Sequence, residues 1–288
     1  PAWTAAAVFL ACWFPFNNGL RPEPIICLGA LLTWCSVERA IATGRLLPAA
    51  VACTIGAFSI AAGPTGLLAV AALVAGARPM LLALIKRARE VARQTGRAVG
   101  WAYTALLAPI LAAGTFVLFV VFQGLTLTLF SQSSTMKSAV GPSLNWYNEI
   151  DRYSLLFAFS ADGSITRRFA VLAMILSLAV AGAFLIRKGR IPGTAAGPAQ
   201  RLVGITFVSL LFLMFTPTKW THHFGVFAGL AAALAAVATI AASPRATRSR
   251  RNRTVFAALV VFITGLALTA PNSYYYSSAW GMPWGVEQ

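Results

Sequence analysis

Long apolar runs alternate with short polar segments along the chain, and these runs set the first prediction. An α-helix of about 20 apolar residues crosses a bilayer, and nine runs come close to that length. They cover residues 1–16, 23–41, 46–62, 65–85, 101–122, 168–186, 201–216, 220–242 and 254–271. Membrane β-strands alternate apolar and polar positions, whereas these runs are apolar on every face. The pattern predicts an all-α polytopic membrane protein.

Basic residues gather in every second loop between these runs. The chain is 58% hydrophobic and 10% charged, with a net charge of +16. Most of its Lys and Arg lie in four segments, 39–45, 86–97, 187–201 and 245–253. By the positive-inside rule these segments are cytoplasmic, which predicts a multi-pass plasma-membrane protein whose active face is extracytoplasmic. The positive charge is thus explained by topology and lipid headgroups, and we expect no nucleic-acid partner.

This orientation divides the chain into four predicted parts. Residues 1–122 hold spans one to five, and residues 123–167 form an extracytoplasmic loop with an interfacial helix. Residues 168–271 hold spans six to nine, and residues 272–288 form an extracytoplasmic tail that leads to a missing C-terminal domain. The loop is too long to be a plain connection in a compact protein.

The interfacial helix is predicted from a periodic pattern within that loop. Residues that recur at intervals of three or four are Leu144, Tyr147, Ile150, Ser154 and Phe157. Polar residues fill most positions between them, as in an amphipathic helix that lies in the interface plane. Such a helix is either a structural cover or a wall of a substrate groove.

The motif NNGLRPEP, residues 17–24, lies on the predicted outer face at the start of the second span. Its candidate binding residues are Asn17, Asn18, Arg21 and Glu23. An Arg at a helix N-terminus adds charge to exposed N–H groups and binds phosphate through two parallel hydrogen bonds. The alternative is an interfacial turn in which Arg21 pairs with Glu23.

A second motif, TPTKWTHHFG at residues 216–225, holds both His of the chain. Its candidate binding residues are Lys219, Trp220, His222 and His223. Each His could donate a hydrogen bond to a phosphate or a sugar hydroxyl. Adjacent helical residues point about 100° apart, so we expect the His pair not to share a metal, and a divalent cation stays open as a cofactor. Alternatively, Trp220 anchors the interface and the His pair is incidental.

Together the two motifs predict an external cavity with cationic edges above the membrane. A lipid-linked phosphosugar fits it, because its anionic head lies at the bilayer surface and its prenyl chain runs between helices. Sugar transfer expels a phosphate, and cations placed where that charge develops lower the barrier. A carboxylate must accept the proton of the acceptor hydroxyl. Glu23 is a candidate, although no pair of acids marks the site.

Several blocks of the sequence resemble a known family. They are NNGLRPEPIICLGALLTW, AAGPTGLLAVAALVAGARP, SADGSITRRFAVL, RKGRIPGTAAGP, MFTPTKWTHHFGVFAGL and SRRNRTVFAALVVF. Together they resemble the Emb arabinosyltransferases of the mycobacterial cell wall, in the later transmembrane half. The tail reads NSYYYSSAW where an NGWWY-like run is expected, so the A, B or C type stays open. The opening PAWTAAAVFL, without Met or a charged n-region, suggests a piece of a longer protein.

The resemblance implies a GT-C fold and transfer of D-arabinofuranose from decaprenyl-phosphoryl-arabinose to the arabinan of arabinogalactan or lipoarabinomannan. The catalytic base of the family is an Asp upstream of this chain, so the catalytic residue here is unknown. The resemblance places the donor pocket, which also binds ethambutol, at Trp220, His222 and His223, with Asn17, Asn18, Arg21 and Glu23 facing it. A homo- or heterodimer with another Emb chain and a cytoplasmic acyl carrier protein partner are also implied.

Two other functions fit the same features. One is transfer of a different sugar from a polyprenyl phosphate. The other is a transporter or flippase of lipid-linked sugars, which would place polar groups at mid-membrane in broken helices. Most charges of this chain lie at the membrane faces, with Arg78 the main exception, which favours an enzyme.

Overall fold

The computed structural model describes residues 1–17, 21–140, 143–160 and 163–269. Its α-helices are α1 (Ala2–Trp13), α2 (Glu23–Thr43), α3 (Leu47–Ala62), α4 (Leu67–Thr95), α5 (Val99–Phe122), α6 (Leu127–Val140), α7 (Glu149–Leu155), α8 (Ile165–Lys188), α9 (Ala196–Phe212), α10 (Ala228–Ala246) and α11 (Arg250–Thr269). Short 3-10 helices cover Pro64–Gly66, Trp146–Asn148, Leu213–Phe215 and Thr221–Phe227.

Nine of these helices correspond to the nine predicted spans. In the described part of the chain, seven helices are long and apolar enough to cross a membrane, while α1 and α3 are shorter apolar helices. The prediction of an all-α polytopic membrane protein is therefore confirmed, with two spans shorter than a full crossing.

Helix α4 extends further than the hydropathy pattern indicates. The predicted span ends at residue 85, but the helix runs on to Thr95. The added turns are rich in Lys, Arg, Glu, Gln and Ala, which are strong helix formers. The helix stops at Gly96, whose φ of 69° is the left-handed conformation of a helix C-cap. This basic segment is thus a helix and not the loop that hydropathy predicts.

Helix α2 packs against α3, α4 and α10, and small residues make these approaches close. A Cβ added at Gly29 of α2 would collide with Ser59 of α3, and one at Gly229 of α10 would collide with Leu31 of α2. Small residues let membrane helices approach closely where no hydrophobic force drives them together. The α2–α10 approach brings the start of α2 at Glu23 beside the segment that precedes α10.

The amphipathic helix forms, but it is short and its charged side points inward. It covers the seven residues of α7, and a helix that the sequence did not predict, α6, precedes it. Tyr147 and Ile150 are 62% and 67% exposed, whereas Arg152 is fully buried. The charged side of α7 finds its hydrogen-bond partners in the segment after α9, and the position of this helix in the membrane interface stays a prediction.

The predicted orientation can be tested by chemical labelling of single cysteines. In the intact protein, with reactive native cysteines replaced, Phe215→Cys and Ser249→Cys probe the two ends of the bundle at exposed positions. We expect a membrane-impermeant maleimide to label Phe215→Cys in whole cells and Ser249→Cys only after permeabilisation, because arginine-rich ends are retained inside. The opposite pattern would invert the topology.

Candidate functional site

The predicted motif 216–225 lies in a largely buried turn between α9 and α10, which we call the site turn (residues 213–227). Two 3-10 helices, Leu213–Phe215 and Thr221–Phe227, enclose Pro217 and Lys219, and every residue from 221 to 227 is buried. Proline cannot continue a helix, so the chain breaks here. The backbone N–H of Leu144 donates to the carbonyl of Pro217 at 2.8 Å. The long loop is therefore fastened to the site turn.

Arg152 of α7 is the residue around which the site turn is organised. Its Nε donates to Glu149 Oε1 at 2.7 Å, and its Nη1 lies 2.6 Å from the carbonyl oxygen of Trp220 and 2.7 Å from His223 Nδ1. Its Nη2 has acceptors in Glu149 and in the site turn, the shortest at 2.7 Å to Thr216 Oγ1. The five N–H groups of a guanidinium all find acceptors here, as a buried charge requires.

Lys219 shares the carboxylate of Glu149 with Arg152. Its Nζ donates to the carbonyl oxygens of Met214 at 2.7 Å and Thr216 at 2.9 Å, and lies 3.5 Å from Glu149 Oε2. Burial lowers the pKa of Lys219, and the charge of Glu149 opposes that shift. The ammonium of Lys219 therefore stabilises the site turn through groups of the protein itself. A direct contact between Lys219 and a sugar donor stays a prediction.

The two His lie against each other and against the start of α2. Their ring centroids are 4.4 Å apart in an edge-to-face arrangement, and His222 Nε2 lies 3.6 Å from Glu23 Oε1. The expectation that the two rings point apart is wrong, since the rings meet even though adjacent positions of a 3-10 helix, with three residues per turn, are about 120° apart. Glu23 and the His pair, from the two separate motifs, are therefore brought into one site.

The same three side chains have the composition of a metal site. Glu23, His222 and His223 each place one ligand atom within 4.8 Å of the others, and two His with one carboxylate is a known zinc set. However, Arg152 donates to one nitrogen of His223, and the positive charges of Arg21 and Arg152 act on both rings. This surrounding charge opposes a dication and favours an anion.

The other predicted binding residues differ in how they relate to the site turn and the His pair. Asn17 donates from Nδ2 to the carbonyl of Gly225 at 2.9 Å, so it supports the site turn. Arg21 acts electrostatically on Glu23 and the His pair. Trp220 is 39% exposed and its carbonyl is the acceptor for Arg152. Asn18 lies outside the described residues.

Sequence reasoning missed Arg152, Glu149 and Arg167 as parts of this site. Arg167 of α8 is buried, donates from Nη1 to Thr221 Oγ1 at 3.1 Å, and lies over the ring of Phe16. The signal that could have found them is rarity, since the chain has only seven acidic residues and charged groups near a membrane seldom lack a role.

Comparisons with known proteins point to one family. A family model described as "Mycobacterial cell wall arabinan synthesis protein" matches residues 1–288. The chain is 57% identical over 283 residues to the "Probable arabinosyltransferase C" of Mycolicibacterium smegmatis, covering 98% of this chain and 25% of that protein. It is 46% identical over 281 residues to the "Probable arabinosyltransferase B" of Mycobacterium avium, with coverages of 98% and 25%.

A solved structure has the same arrangement of helices. The cryo-EM structure of the arabinosyltransferase EmbB from Mycobacterium smegmatis matches 99% of this chain and 24% of its own, with a TM-score of 0.73 and 41% sequence identity. The chain therefore spans about a quarter of the length of the relatives that it matches.

The buried ion pair of Arg152 and Glu149 predicts a large stability effect. In the intact protein, Glu149→Gln should lower the free energy of unfolding by about 3–5 kcal/mol, because it leaves Arg152 buried beside a neutral partner. Thermal melting in detergent measures this change.

The matched control is Glu90→Gln. Glu90 pairs with Arg87 at the same i,i+3 spacing, 3.6 Å apart and half exposed. An exposed pair contributes at most about 1 kcal/mol, so this variant should melt close to the wild type. Equal melting of both variants would contradict the role given to Glu149.

Proposed function

Because the chain belongs to the family of mycobacterial cell wall arabinan synthesis proteins, we propose that it forms part of a membrane arabinosyltransferase. The intact enzyme would transfer D-arabinofuranose from decaprenyl-phosphoryl-arabinose to cell-wall arabinan. The segment described here would bind the phosphate of the sugar donor.

One observation carries this proposal: cationic side chains are concentrated around the His pair. Four cationic side chains act on these two rings, namely Arg21, Arg152, Arg167 and Lys219. The carboxylates near these cations are Glu149, Asp151 and Glu23, so the four cations outnumber them. A buried positive excess suits a ligand that carries a phosphate.

The same charge would act on the reaction itself. When arabinose leaves the prenyl phosphate, negative charge develops on the departing phosphate oxygens. Preorganised cations and N–H groups stabilise such charge far better in a water-poor site than in water. Arg21 and the His pair are the groups of this site that we propose to contact those oxygens, while Arg152 and Lys219 hold the turn that carries the His pair.

Proton removal from the acceptor hydroxyl is assigned to a residue outside this segment. Glu23 is the carboxylate next to the His pair, 3.6 Å from His222, and it is buried. Its position suits an orienting contact with a His or with the sugar. The base is expected in the part of the protein that precedes this chain.

Finer features of the intact enzyme are proposed on the same grounds. Identity is higher to the C-type relative than to the B-type one, which favours a C-type protein. A GT-C fold, a plasma-membrane location with the site outside, and ethambutol binding at the same pocket follow from the resemblance. So do a dimer with another Emb chain and an acyl carrier protein at the basic cytoplasmic end.

Two substitutions test this proposal in the intact protein. Arg21→Ala and His222→Gln should each reduce arabinose transfer from a prenyl-phosphoarabinose by about 100-fold or more, the loss typical of removing one group that stabilises developing charge. Radiolabelled transfer in membranes measures the rate, and size-exclusion profiles verify folding.

Lys137→Ala is the matched control, because Lys137 is an exposed cation of α6 on the same predicted face. Its transfer rate should equal that of the wild type. Full activity of a folded Arg21→Ala and His222→Gln would contradict the proposed site. Transfer of another sugar, or lipid flipping without transfer, would contradict the proposed reaction.

A further inference from the structure

Arg152 and His223 make a contact whose direction is fixed by chemistry. Arg152 Nη1 lies 2.7 Å from His223 Nδ1, and a guanidinium has hydrogen-bond donors but no acceptor. His223 Nδ1 must therefore accept, which leaves the ring proton on Nε2. We propose that Arg152 is a positioning residue that holds His223 as the Nε2–H tautomer, so that its ring presents an N–H group to the sugar donor. This inference rests on the proposed function.

The hydrogen bonds of the Arg152 guanidinium keep it in place against His223 Nδ1. It is fully buried, and Glu149 binds it through two oxygens at 2.7 and 3.2 Å. The carbonyl of Trp220 accepts the other Nη1 hydrogen at 2.6 Å. Turning Arg152 away from His223 would break several charge-assisted hydrogen bonds at once, each stronger than a neutral one.

Charged and titratable groups face His223 from every element packed around it. Arg152 of α7, Arg21 just before α2 and Lys219 of the site turn act on His223, and Glu23 and His222 lie beside it. Arg167 of α8 acts on His222, and Glu149 of α7 binds Arg152 and Lys219. Arg152 differs from the others because its hydrogen bond selects one ring nitrogen. The others change the surrounding charge.

The tautomer matters because phosphate oxygens and ionised carboxylates only accept hydrogen bonds. A ring with its proton on Nε2 can donate to a phosphate, whereas the other tautomer would present a lone pair to it and repel it. In many sites a second group fixes which His nitrogen carries the proton. Here the cation Arg152 fixes the tautomer of His223, and Glu149 holds Arg152 in position. The role of α7 is thus to orient a ring in a separate part of the chain.

The test compares four forms of the intact protein in membranes: wild type, Arg152→Met, His223→Gln and the double variant. Methionine keeps much of the volume without a hydrogen-bond donor, and the amide nitrogen of Gln takes the place of Nε2–H without titrating. We expect Arg152→Met to lower kcat/KM for the sugar donor by about 10- to 100-fold at neutral pH.

The pH profile separates positioning from structural support. In Arg152→Met, transfer should recover in part as the pH is lowered, because an imidazolium carries a proton on both nitrogens. His223→Gln and the double variant should show no such recovery. If Arg152→Met and the double variant have the same pH profile, Arg152 does not act through His223 and the proposal fails.

A second measurement does not depend on activity. Hydrogen exchange at the imidazole C2 position, followed by mass spectrometry, reports protonation of individual His. In the wild type we expect no protonation step for His223 between about pH 5.5 and 8, and in Arg152→Met a step that is shifted toward higher pH, because Nδ1 is then free to take a proton. An ordinary step in the wild type would overturn the inference even if Arg152→Met fails to fold. Unchanged transfer in His223→Gln, together with the expected exchange pattern, would count against the proposed function instead.

Discussion

A guanidinium removed from water at Arg152 is the constraint on which the site depends. Such a charge persists only if every N–H finds an acceptor, and the acceptors here come from Glu149, the site turn and His223. Satisfying this one group fixes α7 against the segment between α9 and α10. The exposed apolar side of α7 is a consequence, because its charged side is committed to the interior.

Helix packing supplies the other half of the site. Gly229 allows α2 and α10 to approach closely, which brings Glu23 next to the His pair. Arg167 connects α8 to the same turn through Thr221. Groups from segments far apart in sequence thus meet at one end of the bundle, and the arrangement suits recognition of an anionic lipid head at a membrane surface.

The sequence was sufficient for the spans because hydrophobic length is a local property, so each of the nine runs corresponds to a helix. It also placed His222, Glu23 and Arg21 near one another through their shared predicted face. It failed where a tertiary contact decided the outcome. Nothing local shows that Arg152 turns inward, that Lys219 pairs with Glu149, or that the rings of two adjacent His meet edge to face. Helix α4 extends beyond its apolar run because helix propensity does not require hydrophobicity.

The most direct test of donor binding at the His pair is a cryo-EM structure of the intact protein with a phosphonate analogue of prenyl-phosphoarabinose. We expect the phosphonate to lie within hydrogen-bond reach, about 3 Å, of His223 Nε2, with Arg21 or His222 as a second contact and Arg152 still bonded to His223 Nδ1. A phosphonate bound at the arginine-rich end of the bundle, or in contact with none of these side chains, would contradict this expectation.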